Sequence, residues 1–154
     1  GGDRKKIFVS GHSAGGHLVA MMMATDWPTF DSRLPIQPIC GGCGISGLYD
    51  LEPIRLCFLN EDLQLSEENA ARNSPMKQQR TCLSPLLLPV GANEGPEYLR
   101  QSNELAEAWF RSGETPKVLV MPGHNHFSIA AQLDDSESEL SRAIQHQMGL
   151  YPSA

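Results

Sequence analysis

The sequence predicts an α/β fold: a parallel sheet covered by helices on both faces. Three observations carry this reading. Short apolar runs alternate along the chain with helical stretches, the arrangement that parallel crossovers need. The second run carries no charge, as a strand buried on both faces requires. A turn of small residues, "SGHSAGG" at residues 10–16, joins the first run to the first helix. Function in such sheets gathers at the carboxyl ends of the strands. Chemistry is therefore expected just after Ser10, Ile45, Val90 and Met121.

Residues 7–10 read as a short apolar strand and residues 16–25, "GHLVAMMMAT", as a helix with an apolar face. Residues 38–45 form the uncharged second strand. Residues 50–73 resolve into short helices joined by turns, with Ser66 capping "EENAAR". Residues 76–81, "MKQQRT", read as a polar surface loop. The third strand covers residues 84–91, "SPLLLPVG", and is broken by Pro89 near its end. Residues 97–111 make a helix stopped by Gly113, with Leu105, Ala106, Trp109 and Phe110 on its buried side. "KVLVM", residues 117–121, is the fourth strand. The last helix starts near Asp135 and Ser136, buries Leu140, Ile144 and Met148 on one stripe, and ends at Gly149.

A chain of 154 residues suffices for one domain with a core but not for two, so 1–154 is expected to be a single domain. Its 12 basic residues are scattered among 18 acidic ones, for a net charge of −6. No basic stripe exists to neutralise phosphates, which argues against nucleic acid as a partner. No apolar run approaches the roughly 20 residues of a membrane span, so no membrane partner is expected. The opening residues lack a signal-peptide pattern, and a cytoplasmic location is the expectation. Cys40 and Cys43 form a CxxC, but Cys57 and Cys82 do not supply the second pair that zinc wants. A redox CxxC opens a helix, whereas this one lies at a glycine-rich strand end. Small buried thiols, with no metal, are the expected outcome.

The chemistry concentrates around Ser13. Gly11-His12-Ser13-Ala14-Gly15 matches G-x-S-x-G between a strand and a helix, a nucleophile elbow that projects the serine hydroxyl from a strained turn. The N–H of Ala14 then lies at a helix N-terminus, where it can donate to a developing oxyanion. Serine needs a base, and the base an orienting acid. Of five histidines, His146 reads as solvated, His12 as too close within the elbow, and His17 as packing beside it. The loop "PGHNHFSI" after the fourth strand supplies His126 as the base, with His124 as the alternative. The acid is expected from "VGANEGPEY" after the third strand. Glu97 opens a helix, where a carboxylate meets the helix dipole for structural reasons alone. Glu94, at the loop tip, is the choice.

With these residues in place, the chain resembles the α/β-hydrolase superfamily, and within it the arylformamidase (kynurenine formamidase) and small-esterase branch. The resemblance rests on "IFVSGHSAGGHLVAMMMATDW", "ISGLYDLEPI", "GPEYLRQSNELAEAW" and "HNHFSI", which span most of residues 3–133. It implies the α/β-hydrolase fold, with Ser13 as nucleophile, Glu94 as acid in a position often held by aspartate, and His126 as base. Relatives draw further oxyanion donors from an upstream glycine-rich loop. Only twelve residues precede Ser13 here. The chain is thus expected to correspond to the C-terminal half of such an enzyme, with the N-terminal strands missing and an apolar edge that favours association into an oligomer.

The reaction so implied is cleavage of an aryl formamide such as N-formylkynurenine through an acyl-enzyme, with no metal or organic cofactor and a small acyl compound as the partner. The alternative is a carboxylesterase acting on short-chain acyl esters. A third reading, of another class, is a non-catalytic hydrolase-like chain. Trp27 and Tyr49 are candidates for aromatic contact with an aryl substrate, though core or rim packing is the plainer reading of each.

Overall fold

The computed structural model describes residues 2–110 and 115–150. Four strands form one sheet: β1 (Phe8–His12), β2 (Gly41–Ile45), β3 (Leu86–Gly91) and β4 (Lys117–Met121). Their spatial order follows the chain, β1-β2-β3-β4, and every pairing is parallel. Helices α1 (Ala14–Ala24) and α2 (Trp27–Phe30) connect β1 to β2. Between β2 and β3 lie α3 (Glu52–Arg55), α4 (Asn60–Leu63), α5 (Glu67–Arg72) and a 3-10 turn at Pro75–Lys77. Helix α6 (Pro96–Ala108) leads to β4, and a 3-10 turn (Ala130–Asp134) and α7 (Glu139–Gln147) follow it. Among the described residues no helix is long and apolar enough to cross a membrane.

The alternation of side chains along β3 divides the core in two. Leu86 and Leu88 pack with Val19, Ala20 and Met23 of α1 and with Leu105, Ala106 and Trp109 at α6. Leu87 faces the other way, toward Cys43, Ile45, Met121, Ile129 and Leu140. Both faces of the sheet are covered, as its uncharged central strands require. Helix α1 lies close on the end of β2: a Cβ on Gly16 would fall 2.7 Å from the Gly47 Cα.

Pro89 does not break its strand. The β2–β3 ladder runs from Gly42 N–H to Pro85 O and resumes with Ser46 N–H to Pro89 O, at 2.9 and 2.7 Å. In that alternation residue 89 is the donor owed to Gly44 O, and proline has none. The buried Tyr49 hydroxyl donates to Gly44 O instead, at 2.9 Å. The strand survives because a side chain supplies the missing bond.

Other expectations need correction. Residues 76–81 are a surface loop only in part: Lys77 and Gln79 are exposed, but other positions turn inward. Met76 packs against the first core cluster and Arg80 is buried, its guanidinium donating to the carbonyls of Cys82 and Ser84. Phe110 is 65% exposed, because α6 ends at Ala108 and the chain leaves the helix through Trp109. Arg111 and Gly113, the expected end and stop of that helix, lie outside the described residues. The last helix starts later than expected. Asp135 closes the preceding 3-10 turn, and the Ser138 hydroxyl caps α7 by accepting from Ser141 N–H at 3.0 Å. Leu140 is fully buried, but Met148 sits past the helix end and is exposed. Ser66 does cap α5, accepting from Asn69 N–H.

Candidate active site

Parallel strands bring every carboxyl end to one edge of the sheet, and the candidate side chains sit there. Ser13 follows β1 at φ 57° and ψ −116°, a conformation that costs energy for a residue with a Cβ. Its N–H donates to Ile45 O at 2.9 Å, tying the turn to the end of β2. The close turn explains the glycine at 11, where a Cβ would lie 2.4 Å from Gly15 O. Ala14 takes the first position of α1, where a backbone N–H has no partner within the helix.

The sequence-predicted residues meet. Ser13 Oγ and His126 Nε2 are 3.0 Å apart, and His126 Nδ1 lies 2.8 Å from Glu94 Oε2. With Glu94 as a carboxylate, Nδ1–H is the donor to it, which leaves Nε2 to accept from the serine hydroxyl. The Glu94 side chain is 1% exposed, and its other oxygen accepts from Gly91 N–H at 2.6 Å and from Ser46 Oγ at 2.5 Å. A buried carboxylate with these donors avoids the cost of an unpaired charge. Gly91 lets the loop close over the acid: a Cβ there would lie 2.4 Å from His124 O and 2.9 Å from Glu94 Oε1.

The alternatives are occupied elsewhere. His124 Nε2 meets the Gln132 side-chain amide at 2.6 Å, and its backbone carbonyl accepts from Asn93 N–H. Glu97 is held by Arg100 and Gln101. His17 reaches Asn73 O, and His146 is exposed on α7. Trp27 donates to Met22 O and packs against the core, and Tyr49 is fully buried, which fits the plainer reading of both as packing residues.

Sequence reasoning gave no role at the site to four neighbours. His12 does not reach the serine, but its Nε2 donates to His126 O at 2.7 Å and its ring lies 4.5 Å from the His126 ring. Tyr98 packs on the imidazole at 4.6 Å, and burial followed by the Glu94 charge pushes its phenol pKa up. Ser46, beside Glu94, was signalled by its position directly after Ile45 at a strand end. Phe127, 81% exposed, stands edge-on to His126 at 5.6 Å.

No protein-family model matches the sequence. The chain is 34% identical over 148 residues to the kynurenine formamidase of Danio rerio and 37% identical over 151 residues to that of Salmo salar. Both matches take in 93% of this chain and 50% of the relative, so the chain spans about half the length of the curated relatives it matches. Among solved structures it superposes on a candidate thioesterase from Silicibacter sp. TM1040 with a TM-score of 0.75 and 32% identity, covering 88% of this chain and 49% of that one. Esterase 2 of Thermogutta terrifontis shares the fold, with a TM-score of 0.61 and 23% identity over 95% of this chain and 53% of that one.

Proposed function

We infer, because this chain belongs to the α/β-hydrolase superfamily, that it carries the nucleophile, base, acid and one oxyanion donor of a serine hydrolase acting on aryl formamides of the N-formylkynurenine type. The observation that carries this reading is the continuous hydrogen-bonded row from Ser13 Oγ through His126 to a buried Glu94, beside the Ala14 N–H. The formamide preference draws on the similarity to kynurenine formamidases.

Ser13 Oγ attacks the formyl carbon as its proton passes to His126 Nε2. Glu94 keeps Nδ1–H in place and stabilises the imidazolium that forms. The carbonyl oxygen becomes an oxyanion and takes the Ala14 N–H as a donor. Collapse breaks the C–N bond, and His126 returns the proton to the departing aryl amine. Water, deprotonated by His126, then attacks the formyl-enzyme, releasing formate and restoring the Ser13 hydroxyl.

Treatment of the 154-residue chain with a fluorophosphonate, followed by mass spectrometry, tests the site. The expected adduct is on Ser13 and absent from Ser13→Ala; a folded chain that leaves Ser13 unmodified overturns the reading. Release of aryl amine from an N-formylaniline, set against hydrolysis of a p-nitrophenyl ester, tests the substrate class. The similarity to esterase structures makes the ester the competing substrate, and turnover of the ester far above the formamide assigns the chain to it.

A further inference from the structure

We propose that Ser46 is a positioning residue whose hydroxyl fixes the plane of the Glu94 carboxylate and, through it, the ring of His126. The proposal rests on the reading of Ser13, His126 and Glu94 as one catalytic unit. Ser46 follows β2 with φ 46°, in the left-handed region where a Cβ is unfavourable and glycine is at ease. It is fully buried, and its N–H donates to Pro89 O at 2.7 Å. A glycine would make that backbone bond equally well and relieve the strain. What glycine lacks is the hydroxyl.

That hydroxyl donates to Glu94 Oε1 at 2.5 Å, beside the Gly91 N–H at 2.6 Å. The terminal torsion of a glutamate is soft, with broad rather than sharp minima. One donor on Oε1 leaves the carboxylate free to swing about that contact. Two donors, from the ends of different strands, set its plane and aim Oε2 at His126 Nδ1, 2.8 Å away. A strained residue kept where a relaxed one would fold as well is a mark of function.

The test uses Ser46→Gly and Ser46→Ala in the 154-residue chain, since glycine relaxes the backbone, alanine keeps it strained, and both remove the hydroxyl. Three quantities are measured: the melting temperature, the low-field proton resonance of His126 Nδ1–H, and the rate at which a fluorophosphonate modifies Ser13. The glycine variant is expected to melt above the alanine variant, since both lose the hydroxyl and only glycine relaxes the backbone. In both variants the Nδ1–H resonance is expected to broaden or move upfield. Labelling is expected to slow by about 10- to 100-fold, by analogy with removal of the hydrogen-bond partners that orient metal-ligating side chains, and by a similar factor in both. An unchanged resonance, a loss confined to alanine, a glycine variant that melts below the alanine variant, or a parent without the resonance overturns the proposal. A parent that shows the resonance but is never labelled defeats the catalytic reading of Ser13 alone. Loss of the resonance in both variants then still establishes that Ser46 positions the pair.

Discussion

Glu94 and Glu97 carry the same group three residues apart and meet opposite surroundings. The Glu97 side chain is 44% exposed, and the Arg100 guanidinium holds its carboxyl below the usual carboxylate range. A carboxylate with a depressed folded pKa stabilises the fold above its unfolded pKa and loses that contribution as pH falls through the folded value. Glu97→Gln is therefore expected to leave fluorophosphonate labelling at the parent rate. It should lower the melting temperature slightly at neutral pH, and the difference should vanish in acid. Glu94, 1% exposed at its side chain, faces His126. Glu94→Gln is expected to slow labelling by about 10⁴-fold, less than removal of Ser13 or His126, because the orienting acid forms and breaks no bond to the substrate. Equal labelling in Glu94→Gln and the parent would remove Glu94 from the mechanism.

The first helix depends on two adjacent glycines that meet different neighbours. A methyl group added at Gly15 would meet no atom within 4 Å, whereas one at Gly16 would collide with the Gly47 backbone at 2.7 Å. Alanine in a helix is better than glycine by roughly 0.5–1 kcal/mol when space allows. Gly15→Ala is thus expected to raise the melting temperature. Gly16→Ala should lower it, since pushing α1 off the end of β2 costs roughly 1–3 kcal/mol as overpacking does. Thermal unfolding followed by circular dichroism checks both, and shifts of the same sign would contradict the close approach of α1 to β2. The same interlocking accounts for Pro89, which is tolerated in β3 because Tyr49 reaches across to Gly44 O.

Taken whole, the molecule leaves apolar surface at one side of the sheet. Among the described residues β1 pairs with β2 alone, and its residues carry no acidic or lysine side chain to guard a free edge. Helix α1 is apolar almost all round, a composition suited to a helix covered on more than one side, yet Leu18 is 60% exposed and Ile7 40%. We expect the 154-residue chain to associate, with an apparent size on size-exclusion chromatography that grows with concentration and falls in Leu18→Lys. A monomer at every concentration would show that this surface is innocuous.

The strand–helix alternation, the elbow around Ser13 and the cap at Ser66 were legible in the chain because each is decided by neighbours within a few residues. Gly11 is glycine because Gly15 O lies where its side chain would be, and that constraint spans four positions. Pro89, Arg80 and Phe110 were misread because their environments come from elsewhere: Tyr49 beside the strand, carbonyls that accept a buried guanidinium, and a helix that ended early. That positions 13, 94 and 126 would meet was read from their places after strand ends, whereas the contact of Ser46 with Glu94 was decided only in three dimensions. Separation along the chain alone does not say which of the side chains near a strand end touch. Parallel register brings the ends of four strands to one edge. Between His124 and His126 the decision was finer still. Asn125 accepts from Phe127 N–H and Ser128 N–H and turns the loop, so that one imidazole meets Gln132 and the other Ser13. The sequence named His126 with His124 as the alternative, and the direction of this turn is the physical reason that two residues of the same type, two positions apart, part company.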